Sequence, residues 1–263
     1  MQRSSMQYIF MILSGLVILF VAAPVIALML GPHITDYIAT AGDKEAMESI
    51  TNTLLAAFSA SLLMALPGIP LAWLLARKQF AMKGLLQGLI DIPVVIPHTA
   101  AGIAVLTVIS PATGFGQHLD SLGLNLVGTK AGIATAMAFV SVPFLINSAR
   151  QGFEMVSEHY EKTSLSLGVS PAKTFFRVSL PLAWRSILGG MVMMFARGMS
   201  EFGAVVIIAY YPITTPTLIF ERFGAYGLKQ AQPLAALFVF ISLLLFIVLR
   251  WLANNRRFYA KAG

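Results

Sequence analysis

The chain has 263 residues and a formal net charge of +7, is 57% hydrophobic and only 11% charged, and contains no cysteine. Soluble domains carry roughly 25% charged residues, so a water-facing fold of this size could not cover its surface, and the ordinary cytosolic, disordered and collagen-like classes are excluded. Disulfides, thiolate metal sites and cysteine nucleophiles are excluded with them, and His33, His98, His118 and His159 show no metal-ligand spacing.

Long stretches almost free of Asp, Glu, Lys and Arg predict six spanning helices, at roughly 8–31, 50–76, 84–109, 129–150, 186–210 and 231–252. About 20 apolar residues cross a bilayer. Backbone polar groups must be satisfied internally there, so the spans should be helical. No span alternates polar with apolar residues, which argues against a β-barrel. The first span follows Arg3 and is longer than the roughly 7–15 apolar residues of a secretory signal, so it reads as a retained helix. The segment 31–48 sets Asp36, Asp43, Glu45 and Glu48 against Lys44.

Prolines punctuate the middle spans. Pro67 and Pro70 fall in the second, Pro93 and Pro97 in the third and Pro143 in the fourth. Each removes a backbone donor and should kink its helix, as suits a bundle with a cavity. Asp91 lies about two turns into the third span and is expected to face a neighbouring helix or a partner interface. His98, beside Pro97, reads as a satisfied core residue. Small residues at Thr99-Ala100-Ala101-Gly102 and at Ala131, Gly132, Ala134, Ala136 and Ala138 permit close helix packing. In the fifth span Arg197 and Glu201, four residues apart, share a helix face and can pair.

Thirteen of the eighteen Lys and Arg residues fall on the side holding both termini, the 77–83 turn, the 150–185 loop and the tail. Both termini are therefore expected in the cytoplasm. The positive charge follows from topology and is no sign of nucleic-acid binding. No phosphate-binding loop, nucleophile elbow or H-E-x-x-H motif occurs. The chain carries no catalytic residues and no metal site of its own, so any uphill transport must be energised from outside it.

The longest inner loop, 151–185, predicts two short helices. The first runs to about Leu167 and stops at Gly168. Ser170 offers an N-cap and Pro171 the first helical position. Ala172, Phe175, Phe176 and Ser179 then form one stripe, and Leu180-Pro181 closes the second helix. An exposed Phe175-Phe176 pair asks for a partner surface, or else for the headgroup zone of a bilayer.

Gly168, thirteen residues before Pro181 in Val178-Ser-Leu-Pro181, resembles the cytoplasmic loop of ATP-binding-cassette importer permeases, whose pattern is E-A-A, three residues, Gly, nine residues, I-x-L-P. Lys162, Thr163 and Ser164 occupy the E-A-A positions here, with Glu161 one residue early. A second set of strings is similar to the molybdate, tungstate and sulfate permeases of that family. These are Ile92-Pro-Val-Val-Ile-Pro97-His-Thr-Ala-Ala-Gly102, Ala196-Arg-Gly-Met-Ser200-Glu-Phe-Gly-Ala, Tyr211-Pro212 and Thr217-Leu-Ile-Phe-Glu-Arg222.

The resemblance implies an all-α, six-span permease of type I ABC importer form, a single domain over 1–263 in a cell membrane. It implies a second copy of the chain and two ABC ATPase subunits, which would bind ATP and Mg. It also implies an extracytoplasmic oxyanion-binding protein. No cofactor belongs to this chain. The loop residues carried over as the ATPase-coupling element are Glu161, Lys162, Gly168, Ser170, Pro171, Phe175, Phe176, Arg177, Leu180 and Pro181. Thr99, Ser141, Arg197, Ser200 and Glu201 are candidates for the translocation path. Arg197 and Glu201 read either as pathway groups or as a self-neutralised structural pair. The cargo implied is a tetrahedral oxyanion, molybdate or tungstate. The alternatives are a sulfate-type permease and an ion-coupled secondary anion transporter.

Overall fold

The structure, a computed structural model, describes residues 5–254, and every regular element among them is helical. Helix α1 (Ser5–Leu30) is apolar on all sides and rests on the last helix of the chain. The acidic segment folds as α2 (Ile34–Gly42). Asp43 then caps α3 (Lys44–Arg77), accepting hydrogen bonds from the N–H groups of Glu45 and Ala46. That carboxylate and the following acidic turn complement the positive end of the helix dipole. Helix α3 therefore starts well before the apolar run predicted for it. It passes Pro67 and Pro70 without interruption.

The predicted third span is two helices, α4 (Lys83–Val95) and α5 (His98–Ile109), bent by 117° at Ile96-Pro97. At 1.5 Å per residue they are only about 20 Å and 18 Å long, so neither crosses a bilayer of about 30 Å alone. The expected kink is thus a full break. Helix α6 (Gly114–Ser121) and helix α7 (Lys130–Met155) follow, each capped by a threonine hydroxyl, Thr113 and Thr129 respectively. Among the described residues five helices are long and apolar enough to cross a membrane, and the bent pair makes a sixth crossing if α4 and α5 count as one span.

The 151–185 loop and the run after it form α8 (Glu158–Ser166) and α9 (Pro171–Thr174), a π-helical turn at Phe175–Ser179, and α10 (Leu180–Met199). Pro181 was expected to end the loop helix. Instead the chain runs helically from Pro171 to Met199. The π turn bonds the N–H of Leu180 to the carbonyl of Phe175. A widened turn makes room for a proline ring. The predicted fifth span is broken as well: α10 stops at Met199, and α11 (Gly203–Ile208) resumes after Ser200-Glu201-Phe202. Helices α12 (Thr215–Tyr226) and α13 (Leu228–Asn254) complete the fold. Arg3, Arg256, Arg257 and Lys261, which enter the orientation argument, lie outside the described residues.

The centre is a packed trio of α3, α7 and α10, with α5 and α11 against it. Small residues let the backbones approach. Gly190 of α10 faces Ser148 and Leu145 of α7, and the hydroxyl of Ser148 donates to the carbonyl of Ser186 at 2.7 Å. A second cluster, with Leu75, Ile146, Phe153 and Ile187 at its heart, joins these helices beside the inner loop. On the outside of α3, Leu62, Leu63 and Leu66 are exposed, as lipid-facing residues would be.

Candidate functional site

The two helix breaks lie against each other, and their polar groups meet there. Glu201, in the break between α10 and α11, is fully buried. Its Oε1 accepts from the N–H of Ala204 at 2.8 Å, so the carboxylate serves the start of α11 that the break leaves open. Its Oε2 stands 2.9 Å from the Arg197 guanidinium and 3.0 Å from Nδ1 of His98. Neither contact is a well-aligned hydrogen bond. The Arg197 Nη2 is also 2.8 Å from Nε2 and 3.0 Å from Nδ1 of His98. His98 is the first residue of α5, placed there by the break at Pro97.

Close backbone packing holds this arrangement. A Cβ at Gly203 would come within 2.8 Å of the His98 Cβ, and one at Gly102 within 2.9 Å of the Ala204 Cα. The α5–α11 pair is therefore one tightly packed unit. The pairing of Arg197 with Glu201 expected from their spacing is present, and His98 joins it as a third member. Its place in a charged cluster was not apparent from its neighbours in the chain.

The other path candidates divide. Ser200 is exposed, with its hydroxyl on the carbonyl of Arg197. Thr99 is exposed beside His98. Ser141 is fully buried where α7 crosses α10 opposite Gly198, and its hydroxyl bonds the Met137 carbonyl of its own helix. Ser141 thus lies within the α7–α10 contact in this chain. A cavity of about 810 Å³ lies elsewhere. It is an open apolar cleft between α3, α5 and α7, with Asn52, Ser59, Lys130 and Thr135 among its few polar lining residues. Asp91 accepts from the Asn147 side chain of α7 at 2.6 Å, facing a neighbouring helix as expected.

The 151–185 loop is clasped to the bundle by a buried ion pair. Arg77, at the end of α3, places Nε 3.0 Å from Oε1 of Glu161. The same guanidinium donates to the Val156 carbonyl at 2.8 Å, and Trp73 Nε1 reaches the same carboxylate oxygen at 3.4 Å. The two side chains are only 6% and 11% exposed. Lys162, in the first of the family's E-A-A positions, points outward and pairs with Glu158 at 2.9 Å. The hydrogen bond from Lys162, then its charge, hold the Glu158 carboxyl below its ordinary range.

Gly168 sits at φ +79°, where its N–H bonds Leu165 and that of Val169 bonds Ser164. That pattern closes α8 in the left-handed manner glycine favours. Ser170 is the N-cap of α9, but its hydroxyl makes no capping bond; Pro171 occupies the first turn as expected. The two phenylalanine rings meet edge to face, centroids 5.1 Å apart, but differ in exposure. Phe175 packs edge-on to Trp73, centroids 5.8 Å apart, and against Phe153 at 6.1 Å. Phe176 alone is exposed, at 63%. The inward turn of Phe175 corrects the expectation of two exposed rings, because the Trp73–Phe153 floor takes one of them. Leu180 packs into the same floor. Sequence reasoning did not single out Arg77 or Trp73. Arg77 ends the long apolar run of α3, and its pairing with a glutamate 84 residues on has no local signal.

At the opposite end, Arg222 of α12 binds Asp43 and stands 3.3 Å from Glu45. Burial opposes ionisation of Asp43. The guanidinium of Arg222, with the N–H groups of Ala46 and Glu45, outweighs it and holds the carboxyl below its ordinary range. Thr53 accepts from the Thr215 N–H at 2.8 Å, and Asn52 donates to the Ile213 carbonyl at 3.1 Å. These bonds tie α3 to α12.

The sequence of the binding-protein-dependent transport system inner membrane component family matches residues 68–257. The molybdate/tungstate transport system permease protein WtpB of Pyrococcus abyssi is 42% identical over 253 residues, 95% of this chain and 96% of that one. Its counterpart of the same name in Methanocaldococcus jannaschii is 38% identical over 241 residues, 92% and 94% of the two chains. A probable sulfate transport system permease protein, cysT of Nephroselmis olivacea, is 32% identical over 86% of this chain and 81% of its own. Among solved structures, a chain of a bacterial alginate ABC transporter, in complex with a periplasmic protein bound to an alginate pentasaccharide, superposes with a TM-score of 0.74 at 17% identity. That match covers 97% of this chain and 95% of the other.

Proposed function

Because this chain belongs to the binding-protein-dependent transport system inner membrane component family, as a multi-pass permease of ABC importer fold, we propose that it is the translocating subunit of an ATP-driven oxyanion importer. The cargo is molybdate or tungstate, as the names of relatives at 38–42% identity suggest. Two copies would line one pathway, two ATPase subunits would bind ATP and Mg beneath them, and an extracytoplasmic binding protein would deliver the anion.

Elementary electrostatics requires that uptake of an anion be energised. Moving one charge against 100 mV costs about 2.3 kcal/mol, so a dianion entering a negative cell faces about 5 kcal/mol. The chain's own sequence holds no nucleotide-binding loop to meet that demand. One observation supports the proposal most: the helix from Pro171 to Met199 is continuous from the inner loop to the edge of the charged break. A push on α9 is passed through the π turn and along α10 to Arg197, at the edge of the break that holds Glu201. Gly168 sets the lever's angle, the Arg77–Glu161 clasp and Phe175 seat it, and Phe176 and Arg177 offer it to the ATPase. The bent pair α4–α5, clamped to α11, follows the motion, and the pathway opens alternately to each side.

Uptake of labelled molybdate into proteoliposomes, with and without the ATPase subunit, tests this. Uphill uptake is expected only with the ATPase and ATP. Accumulation by the permease alone would establish an ion-coupled carrier instead. A sulfate-type permease is the second reading, favoured by the 32% identity to cysT. Competition of molybdate uptake by equimolar sulfate would support it.

A further inference from the structure

Arg197 and Glu201 meet at the break between α10 and α11, and only one of them can be touched from outside. The Arg197 side chain is 20% exposed and that of Glu201 not at all. Other polar groups share the open side: the His98 side chain is exposed, and so are Thr99 and Ser200. The remaining exposed surface nearby is apolar, with Val94, Val95 and Ile103 on the bent pair and Met193 on α10. Charged side chains at membrane depth face protein or a water-filled path rather than lipid.

The two oxygens of Glu201 act differently. Oε1 accepts from the Ala204 N–H at 2.8 Å and so holds the start of α11. Oε2 lies 2.9 Å from the Arg197 Nη2, yet it is buried without a hydrogen-bond partner. Its charge therefore acts on the guanidinium, and on anything the guanidinium holds, through space. Two opposite charges side by side form a dipole, whose pull on an anion falls with distance faster than that of a lone charge. A lone guanidinium grips an oxyanion by paired, charge-assisted hydrogen bonds, and in a site of low dielectric it would keep it.

We propose that Arg197 is the oxyanion contact at the two breaks, and that Glu201 keeps this contact weak enough for release. A tetrahedral dianion touches the open side of Arg197, among the polar groups of Thr99 and Ser200, and cannot reach the carboxylate behind it. Contact is favourable because the cation is the nearer charge. After a short displacement the carboxylate cancels the cation, and the anion leaves. Arg197 is the binding residue and Glu201 a positioning residue that acts through it. The inference rests on the oxyanion-importer reading and names its substrate contact.

The test compares the permease–ATPase complex with its Glu201→Gln variant. Glutamine keeps an oxygen to accept from Ala204 and loses the charge. Equilibrium binding of labelled molybdate is measured on the purified complex without the binding protein. Maximal ATP-dependent uptake is measured in proteoliposomes with the binding protein saturating. Glu201→Gln should bind molybdate about tenfold more tightly and carry it correspondingly more slowly at saturation. Adding Arg197→Gln should abolish the gain in binding. A purely structural role for Glu201 would weaken binding and uptake together; that result, or unchanged binding, overturns the inference. Tighter binding with undiminished uptake denies Glu201 its hold on release, and a gain that survives Arg197→Gln puts the contact elsewhere. In each of these cases uptake by the unaltered complex leaves the importer standing. No ATP-dependent molybdate uptake by the unaltered complex overturns the importer reading itself.

Arginine modification of the unaltered complex decides the contact even if the variant does not fold. Phenylglyoxal is applied with and without molybdate, and the modified peptides are resolved by mass spectrometry. Arg222, bound to Asp43 at the opposite end, is the reference. Molybdate should slow modification of Arg197 and leave that of Arg222 unchanged. Equal rates at Arg197 with and without molybdate, or no reaction there at all, remove the contact.

Discussion

Glu161 and Glu201 are both buried carboxylates, but their neighbours give them different work. Glu161 is gripped by Arg77 and Trp73 from a helix distant in sequence. Removing one partner of such a buried pair leaves an uncompensated charge and costs about 3–5 kcal/mol. Arg77→Met should therefore sharply lower the thermal midpoint of the purified protein. The double variant Arg77→Met with Glu161→Met should recover most of the loss. Equal destabilisation in the single and double variants would deny the clasp. Asp43 gives a stability dependence on pH. Its carboxyl is depressed in the folded protein, so its contribution is present above the unfolded value of about 3.9 and is lost as pH falls through the lower folded value. Asp43→Asn should thus lower stability at neutral pH and flatten the acid limb of a stability–pH profile below about pH 4. Much at this scale was legible. Pairing of Arg197 with Glu201 follows from their spacing, and the role of Gly168 as a helix stop from its place before Ser-Pro. Unread were His98 and Arg77, because what decides them is a contact across the fold.

At the scale of elements, proline content announced interruption in the third span without giving its size. A missing donor permits a bend, and the 117° turn between α4 and α5 leaves α5 packed on α11. That docking depends on Gly102, where a Cβ would meet backbone rather than a flexible side chain. Gly102→Val should separate α5 from α11 and abolish uptake, with the chain still inserted in the membrane; normal uptake would show that the contact is dispensable. Gly168→Ala is a milder change. Nothing lies within 4 Å of the added Cβ, so only the positive φ opposes it, at about 1–2 kcal/mol. It should lower the thermal midpoint slightly and leave the loop's position intact, as measured by cross-linking to the ATPase. The fifth span misled in the opposite sense. Its apolar run continues past Met199, but the Glu201 side chain captures the N–H of Ala204 and starts a new helix. The reverse happened at Pro181, where a π turn carries the helix through a residue expected to end it.

Across the whole molecule, composition and the charge-free runs were enough to find the all-α membrane fold, and two short strings to find its family. The surfaces that meet other subunits were less legible, since exposure depends on packing. Of the two phenylalanines at the loop, only Phe176 is free to touch a partner. Phe176→Ser should reduce co-purification of the ATPase subunit at least about tenfold, while Phe175→Ser should chiefly lower stability by hollowing the Trp73–Phe153 floor. Retention of the ATPase by Phe176→Ser would place docking elsewhere. The two breaks carry one more consequence. If α4 and α5 form one span, their break falls partway across the bilayer with the end of α10 beside it, and the insulating layer between an inner and an outer vestibule would be thinner than the bilayer. The membrane voltage then drops over that short septum, and the electrical work of import is concentrated within a few ångströms of Arg197. Cargo flux should sense voltage chiefly at that one step.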